Sequence, residues 1–174
     1  VQLVVQGVDL VDASLYLSIG WIIHEEILAP VSGELVHLEN TKDPAFSSRA
    51  VGDGVAVVPQ EGTVCAPVSG TIAALFPTEH ALGIMPDDSS AQVMLHIGID
   101  TVKLEGKGFH ALVAQGDHVD AGQPLVEVDF DVVRAAGFDP TVFVIVCERS
   151  ENSTLREHAS GPVAVKEPVV WLSE

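Results

Sequence analysis

The sequence predicts an all-β protein: an antiparallel β-sandwich, barrel-like, built from pseudo-symmetric strand–turn units with a few short helices. Three observations carry that expectation. Short Val-rich runs recur along the chain, each bounded by Gly, Pro or Asp turns. Apolar residues make up 47% of the 174 positions and aromatic residues only 5%, so the core is aliphatic; aromatic-poor strands at this spacing suit a sandwich or barrel. One motif also occurs twice. Ala29-Pro30-Val31-Ser32-Gly33 returns as Ala66-Pro67-Val68-Ser69-Gly70, and each copy is followed by an apolar-alternating run, ELVHL and TIAAL.

Taken in order, the first strand signal is the period-two alternation of Leu15, Leu17, Ile19, Trp21 and Ile23. The run 27–38 follows, then a polar loop, 40–50. Residues 51–60 read as a strand entered by a Gly-Asp-Gly turn and closed by Pro59. Further strands are expected over 63–75, 80–86, 91–99, 123–129, 141–147, 161–167 and 168–172, with a Gly-rich turn at 116–123. Two short helices are expected. Residues 108–116 and 129–137 each end on Gly, and Asp129 or Asp131 can cap the second. No low-complexity stretch divides the chain.

A chain of this length is one domain and buries enough surface to need neither disulfide nor metal for its core. Acids outnumber bases 25 to 8, giving a formal charge of −17. That balance opposes nucleic acid, because phosphate binding needs Lys and Arg, and it opposes adhesion to anionic lipid. It suits a cytoplasmic protein whose partners present basic surfaces. Cys65 and Cys147 form no Cys-x-x-Cys pair and read as reduced, packed thiols. No secretory signal is visible, and Asp9 and Asp12 interrupt the apolar first 23 residues, which argues against a spanning helix. The opening Val in place of Met suggests processing, or excision from a longer polypeptide.

Seven histidines are present, and one stands out. His96 lies inside the most apolar strand. Alternation puts Val93, Leu95, Ile97 and Ile99 on one face and Met94, His96, Gly98 and Asp100 on the other, with the gap at Gly98 leaving the ring room. The bland alternative is a core histidine satisfied by backbone. His80 opens the preceding strand, and the 86–92 turn makes the two strands a hairpin. The two imidazoles then face each other across neighbouring strands at roughly 5 Å between backbones. Thr78 supplies a hydroxyl to orient His80. Acyl transfer lacks a Gly-x-Ser-x-Gly turn, and neither cysteine has an adjacent His. Nucleotide binding lacks a Gly-rich loop with a Lys. A zinc hydrolase would have His80, His96 and Asp100 as a minimal set. Phosphoryl transfer onto the imidazole fits better: a neutral ring nitrogen is a good nucleophile, and a neighbouring donor stabilises the equatorial oxygens.

At these residues the sequence resembles the glucose-type enzyme IIA domain of the bacterial phosphoenolpyruvate-dependent sugar phosphotransferase system. The resemblance rests on H-I-G-I-D-T-V (96–102) with G-x-G-F (106–109). A-P-V-S-G (29–33), V-G-D-G (51–54), A-P-V-S-G-T-I (66–72), T-E-H-A (78–81) and G-x-x-V-x-x-G (116–122) extend it, from about Ile27 to Trp171. It implies an antiparallel sandwich and a phosphohistidine at His96, with His80 as second active-site histidine and Thr78 in support. It further implies the phosphocarrier HPr as donor and the cysteine of an enzyme IIB domain on a sugar permease as acceptor. The docking patch it implies comprises Phe46, Phe76, Leu82, Met94 and Val102, rimmed by Asp43 and Asp100. An acidic rim steers a basic partner surface. The enzyme IIA domain is expected over 26–174. Residues 1–25 have no counterpart in that core and read as an added strand, a linker from a larger permease, or residues foreign to the natural chain. The resemblance places the protein in the cytoplasm, tethered to the cytoplasmic face of the membrane where it is part of a permease.

Three rivals share these features. A regulatory binding module, inhibiting other transporters or enzymes when unphosphorylated, would use the same surface. A zinc hydrolase on a related sandwich would want a His-x-His that is missing, and a biotinyl or lipoyl carrier would want an acceptor Lys in a tight turn. No cofactor is required. Zinc on His80 and His96 would need a partner's carboxylate, because two ligands leave a tetrahedral shell unfilled.

Overall fold

A computed structural model describes residues 3–5, 8–10 and 25–173. Strands β1 (Leu3–Val5) and β2 (Val8–Leu10) form a small antiparallel hairpin. The alternation expected over Leu15 to Ile23 lies outside the described residues. From there the order is β3 (Glu25–Leu28), β4 (Gly33–His37), a 3₁₀ turn (Leu38–Asn40), α1 (Pro44–Ser47), β5 (Asp53–Pro59), β6 (Thr63–Cys65), β7 (Gly70–Leu75), β8 (Ala81–Pro86) and β9 (Gln92–Ile97). A second 3₁₀ turn (Thr101–Leu104) leads to β10 (Phe109–Ala111), β11 (His118–Val119), β12 (Pro124–Val128), α2 (Phe130–Ala135), β13 (Val142–Glu148), β14 (Thr154–Glu157), β15 (Gly161–Val163) and β16 (Pro168–Ser173).

The central sheet runs β11-β7-β8-β9-β13-β5-β4-β15, and two smaller sheets run β10-β12-β6 and β14-β16-β3. Among the described residues every pairing is antiparallel. One face of the central sheet sends Val93, Leu95, Ile97, Val142, Val144 and Val146 into the main core, where Ile27, Val64, Leu125, Val126, Val170 and Leu172 of the smaller sheets meet them. This is the aliphatic sandwich that the composition required.

The repeated motif is a structural repeat. Leu28 N–H donates to the Pro67 carbonyl at 2.8 Å, and Cys65 N–H donates to the Pro30 carbonyl at 2.7 Å. The two turns thus hold each other in equivalent bonds. Gly33 and Gly70 close them, and a Cβ on either would collide with the carbonyl of Val58 or Met85 on the adjacent strand; close backbone approach demands glycine there. Ala29 exchanges bonds with Lys166 and Glu167 as Ala66 does with Gly122 and Gln123. The Gly-rich turn at 116–123 therefore has a counterpart near residue 166, which a Lys in place of the Gly hid from view.

Two expectations need correction. Residues 108–116 do not form a helix: Phe109–Ala111 is strand β10, paired with Val128–Val126 of β12, with Phe109 buried in the core. Cross-strand pairing and burial override a weak local helix signal. The polar loop 40–50 in turn contains α1, capped by the Asp43 side chain accepting from Ala45 N–H at 2.9 Å, with Pro44 in the first turn. The second expected helix is present as α2, and the Asp129 side chain caps it by accepting from Asp131 and Val132 N–H.

Candidate active site

The other face of the central sheet carries a second, smaller cluster, in which Leu38, Phe46, Ala56, Phe143 and Ile145 are buried and Met94, Ile99 and Cys147 pack against them. Segment 38–47 crosses this face and sets Phe46 in a stack on Phe143, ring centroids 4.2 Å apart. His96, at the end of β9, points to this side. It contacts the rings of Phe46 (5.2 Å) and Phe143 (6.3 Å). Alternation along β9 and β13 thus gives one aliphatic face and one face of rings.

His80 stands against His96 with centroids 5.0 Å apart and planes at 85°. Directly opposite His96 across the β8–β9 pair is Ala81, not His80. His80 lies one residue before β8, in a loop whose preceding residue, Glu79, has φ +59°, so strand alternation does not govern its ring. Its Nδ1 lies 2.6 Å from the Thr78 hydroxyl. Phe76 covers its other side at 5.6 Å. The expected trio of His96, His80 and Thr78 is assembled.

His96 Nδ1–H donates to the carbonyl of Gly98 at 2.8 Å. A carbonyl can only accept, so the proton is on Nδ1, and in the neutral ring Nε2 holds the lone pair. Gly98 does not leave the open space expected of it. It is buried at φ +81°, and a Cβ would collide with the Thr101 methyl. It ends β9 and turns its carbonyl back to the histidine, which needs the left-handed backbone. The Thr101 hydroxyl donates to the Ile97 carbonyl, and Gly98 N–H and Ile99 N–H donate to the carbonyls of Thr141 and Asp139. This backbone acceptor was invisible to side-chain pattern reading.

Both imidazoles are held neutral. Burial, then the neighbouring His96, lowers the His80 pKa from 6.5 to about 4. Burial also lowers that of His96, opposed by the Gly98 carbonyl and the charges of Asp43 and Asp100. The charges of Asp43 and Asp100 thus act on the His96 ring. Phe76 and Val102 are about half exposed, Phe76 lies against the His80 ring, and Met94 is half-buried. Phe46 is 5% exposed and acts as a floor under His96 rather than as outer surface. Leu82 is fully buried on the opposite face, in the main core, so it cannot belong to a docking patch. Alternation explains why: Ala81, next to it, takes the histidine side. Asp100 does not complete a metal set either; among the described residues no three His, Cys, Asp or Glu side chains converge.

An antiparallel sandwich with two neutral imidazoles set edge to face, one from β9 and one from the loop before β8, points to the class of glucose-type enzyme IIA domains. The family model of the phosphoenolpyruvate-dependent sugar phosphotransferase system, EIIA 1, matches residues 25–152, and the chain belongs to this family. It is 41% identical over 145 residues to the glucose-specific EIICBA component of Streptococcus pneumoniae, covering 83% of this chain and 20% of that protein. It is 44% identical over 142 residues to the glucose-specific EIIA component of Bacillus cereus, covering 82% of this chain and 85% of that one. The solved glucose permease IIA of Mycoplasma capricolum superposes with a TM-score of 0.76 at 35% identity, over 85% of this chain and 94% of its own. The chain thus spans a fifth of the length of the multidomain relative and most of the length of the free-standing one. No helix among the described residues is long and apolar enough to cross a membrane.

Proposed function

We propose that this domain is a phosphohistidine carrier that accepts a phosphoryl group from HPr on His96 Nε2 and passes it to the cysteine of an enzyme IIB domain. The observation that carries the reading is the 5.0 Å ring pair with both Nδ1 atoms engaged. The Nε2 lone pair forms the new N–P bond as the donor's P–N bond breaks and returns its electron pair to the donor ring. The proton stays on Nδ1, so the phosphorylated ring gains positive character. The Gly98 carbonyl and the carboxylates of Asp43 and Asp100 favour that charge. Neutral His80 contributes one proton. With the Thr78 hydroxyl donating to Nδ1, that proton sits on Nε2, where it serves the phosphoryl oxygens; such fixed donors are the main catalytic resource in phosphoryl transfer. In the second step a thiolate forms the S–P bond, and the N–P pair returns to His96.

The half-exposed Phe76 and Val102, with Asp43 and Asp100 at the rim, form the surface we assign to both partners. The charge of −17 favours a basic donor. The reading needs no cofactor. It places the domain at the cytoplasmic side of a permease; the Streptococcus pneumoniae relative, of which this chain matches a fifth, is an EIICBA component. Strands β15 and β16 pair with β4 and β3, which supports a domain reaching at least to Ser173. Incubation with labelled phosphoenolpyruvate, enzyme I and HPr should give an acid-labile, alkali-stable label that maps to His96. Label remaining on a His96→Ala protein would overturn the assignment.

A further inference from the structure

We propose that Glu79 is a positioning residue for His80, an inference that rests on the carrier reading and deepens it. Residues 76–80 connect β7 to β8 in a tight loop. Glu79 N–H donates to the Phe76 carbonyl at 2.8 Å, and Phe76 N–H donates to the Ala81 carbonyl at 3.0 Å. Pro77 stands where a type I turn favours proline. Glu79 itself is at φ +59°, a region that residues with a β-carbon enter seldom and only where the surroundings hold them.

What holds it is its own side chain. The Glu79 carboxylate accepts from Ala111 N–H at 3.0 Å. Ala111 ends β10, the edge strand of a different sheet. Its neighbour Leu112 sends its N–H inward to Leu125, so the Ala111 N–H faces away from β12, and Glu79 occupies it. The bond ties the loop that carries Thr78 and His80 to a second sheet.

The consequence falls on His80. Ala81 is opposite His96 and shares its side of the sheet, so a regular strand would turn His80 to the core side. The left-handed step at Glu79 comes immediately before His80 and lets its ring stand 5.0 Å from His96 instead. Glu79 touches neither reacting nitrogen; it acts through the backbone it anchors.

Two variants test this. Glu79→Gln keeps a hydrogen-bond acceptor, whereas Glu79→Gly removes it and still accommodates the positive φ, so the fold is retained. Three readouts are needed: thermal midpoint, imidazole nitrogen shifts with the His80–His96 ring contact by NMR, and the separate rates of label uptake from HPr and discharge to an enzyme IIB domain. Glu79→Gly should change the His80 ring signature and weaken its contact with His96. It should also slow discharge about tenfold while uptake stays within about twofold. Glu79→Gln should match the wild type throughout. Wild-type ring signals and discharge in Glu79→Gly, or equal losses in both variants, would overturn the proposal. Failure of the wild-type protein to accept label would instead overturn the carrier reading, and the NMR comparison would still decide the role of Glu79.

Discussion

The two faces of strands β9 and β13 are made by the same backbone yet do different work. Inward go Val93, Leu95, Ile97, Val142, Val144 and Val146, all at most 2% exposed and all aliphatic. Outward go Met94, His96, Phe143, Ile145 and Cys147, where rings stack and one imidazole reaches the rim. The inner face gains stability from burial alone. On the outer side burial keeps His96 and the adjoining loop residue His80 neutral, and each ring engages its Nδ1 in a hydrogen bond, leaving Nε2 for chemistry. Alternation with period two is what lets one strand serve both ends without compromise.

The sharpest way to separate the faces is His96→Ala. It should abolish phosphoryl acceptance, a loss of at least about a thousandfold for removal of the nucleophile, with the fold intact by circular dichroism. Leu95→Ala, on the same strand but the other face, should do the reverse. It should cost about 3 kcal/mol of stability in urea unfolding, while label still reaches His96 in the protein that remains folded. His80→Gln should accept label but discharge it about a hundredfold more slowly, because one donor to the phosphoryl oxygens is altered.

A pH series gives a milder contrast. The His80 pKa is depressed from 6.5 to about 4, so between those values the unfolded chain binds more protons than the folded one. Stability should therefore fall as pH drops from 6.5 to 4. The urea midpoint of His80→Gln should fall less than that of the wild type over that window. The smallest effect belongs to the rim. Asp43→Asn keeps a good helix cap and removes a charge, so it should lower the association rate with HPr by less than about tenfold and weaken its salt dependence.

Much of this was legible in the residues. The aliphatic, turn-punctuated pattern led to the sandwich. His96 stood out because it interrupts the most apolar strand on a face shared with Gly98 and Asp100. The hairpin brought His80 into the neighbourhood, but its register sets Ala81 opposite His96, and only the left-handed step at Glu79 turns the His80 ring to it. The misreadings have a common cause. The resemblance carries Leu82 into the docking patch by position and the local pattern gives 108–116 as helix; neither says which face a strand buries or which distant strand it will meet. Phe46 fits the docking patch by type, but it lies under the site. The Gly98 carbonyl and the Glu79 anchor left no side-chain pattern to read, since each depends on a backbone dihedral and a bond across the fold.

By itself the sequence determined the class of fold, through hydrophobic period and turn chemistry, and pointed to the family and its two imidazoles through the resemblance of its motifs, among them 78–81 and 96–102. Only the tertiary structure decided which ring nitrogen is free, how deeply each ring is buried, and which apolar side chains face outward. Those depend on where carbonyls and neighbouring sheets lie in space, and nothing in the linear order of residues specifies their positions.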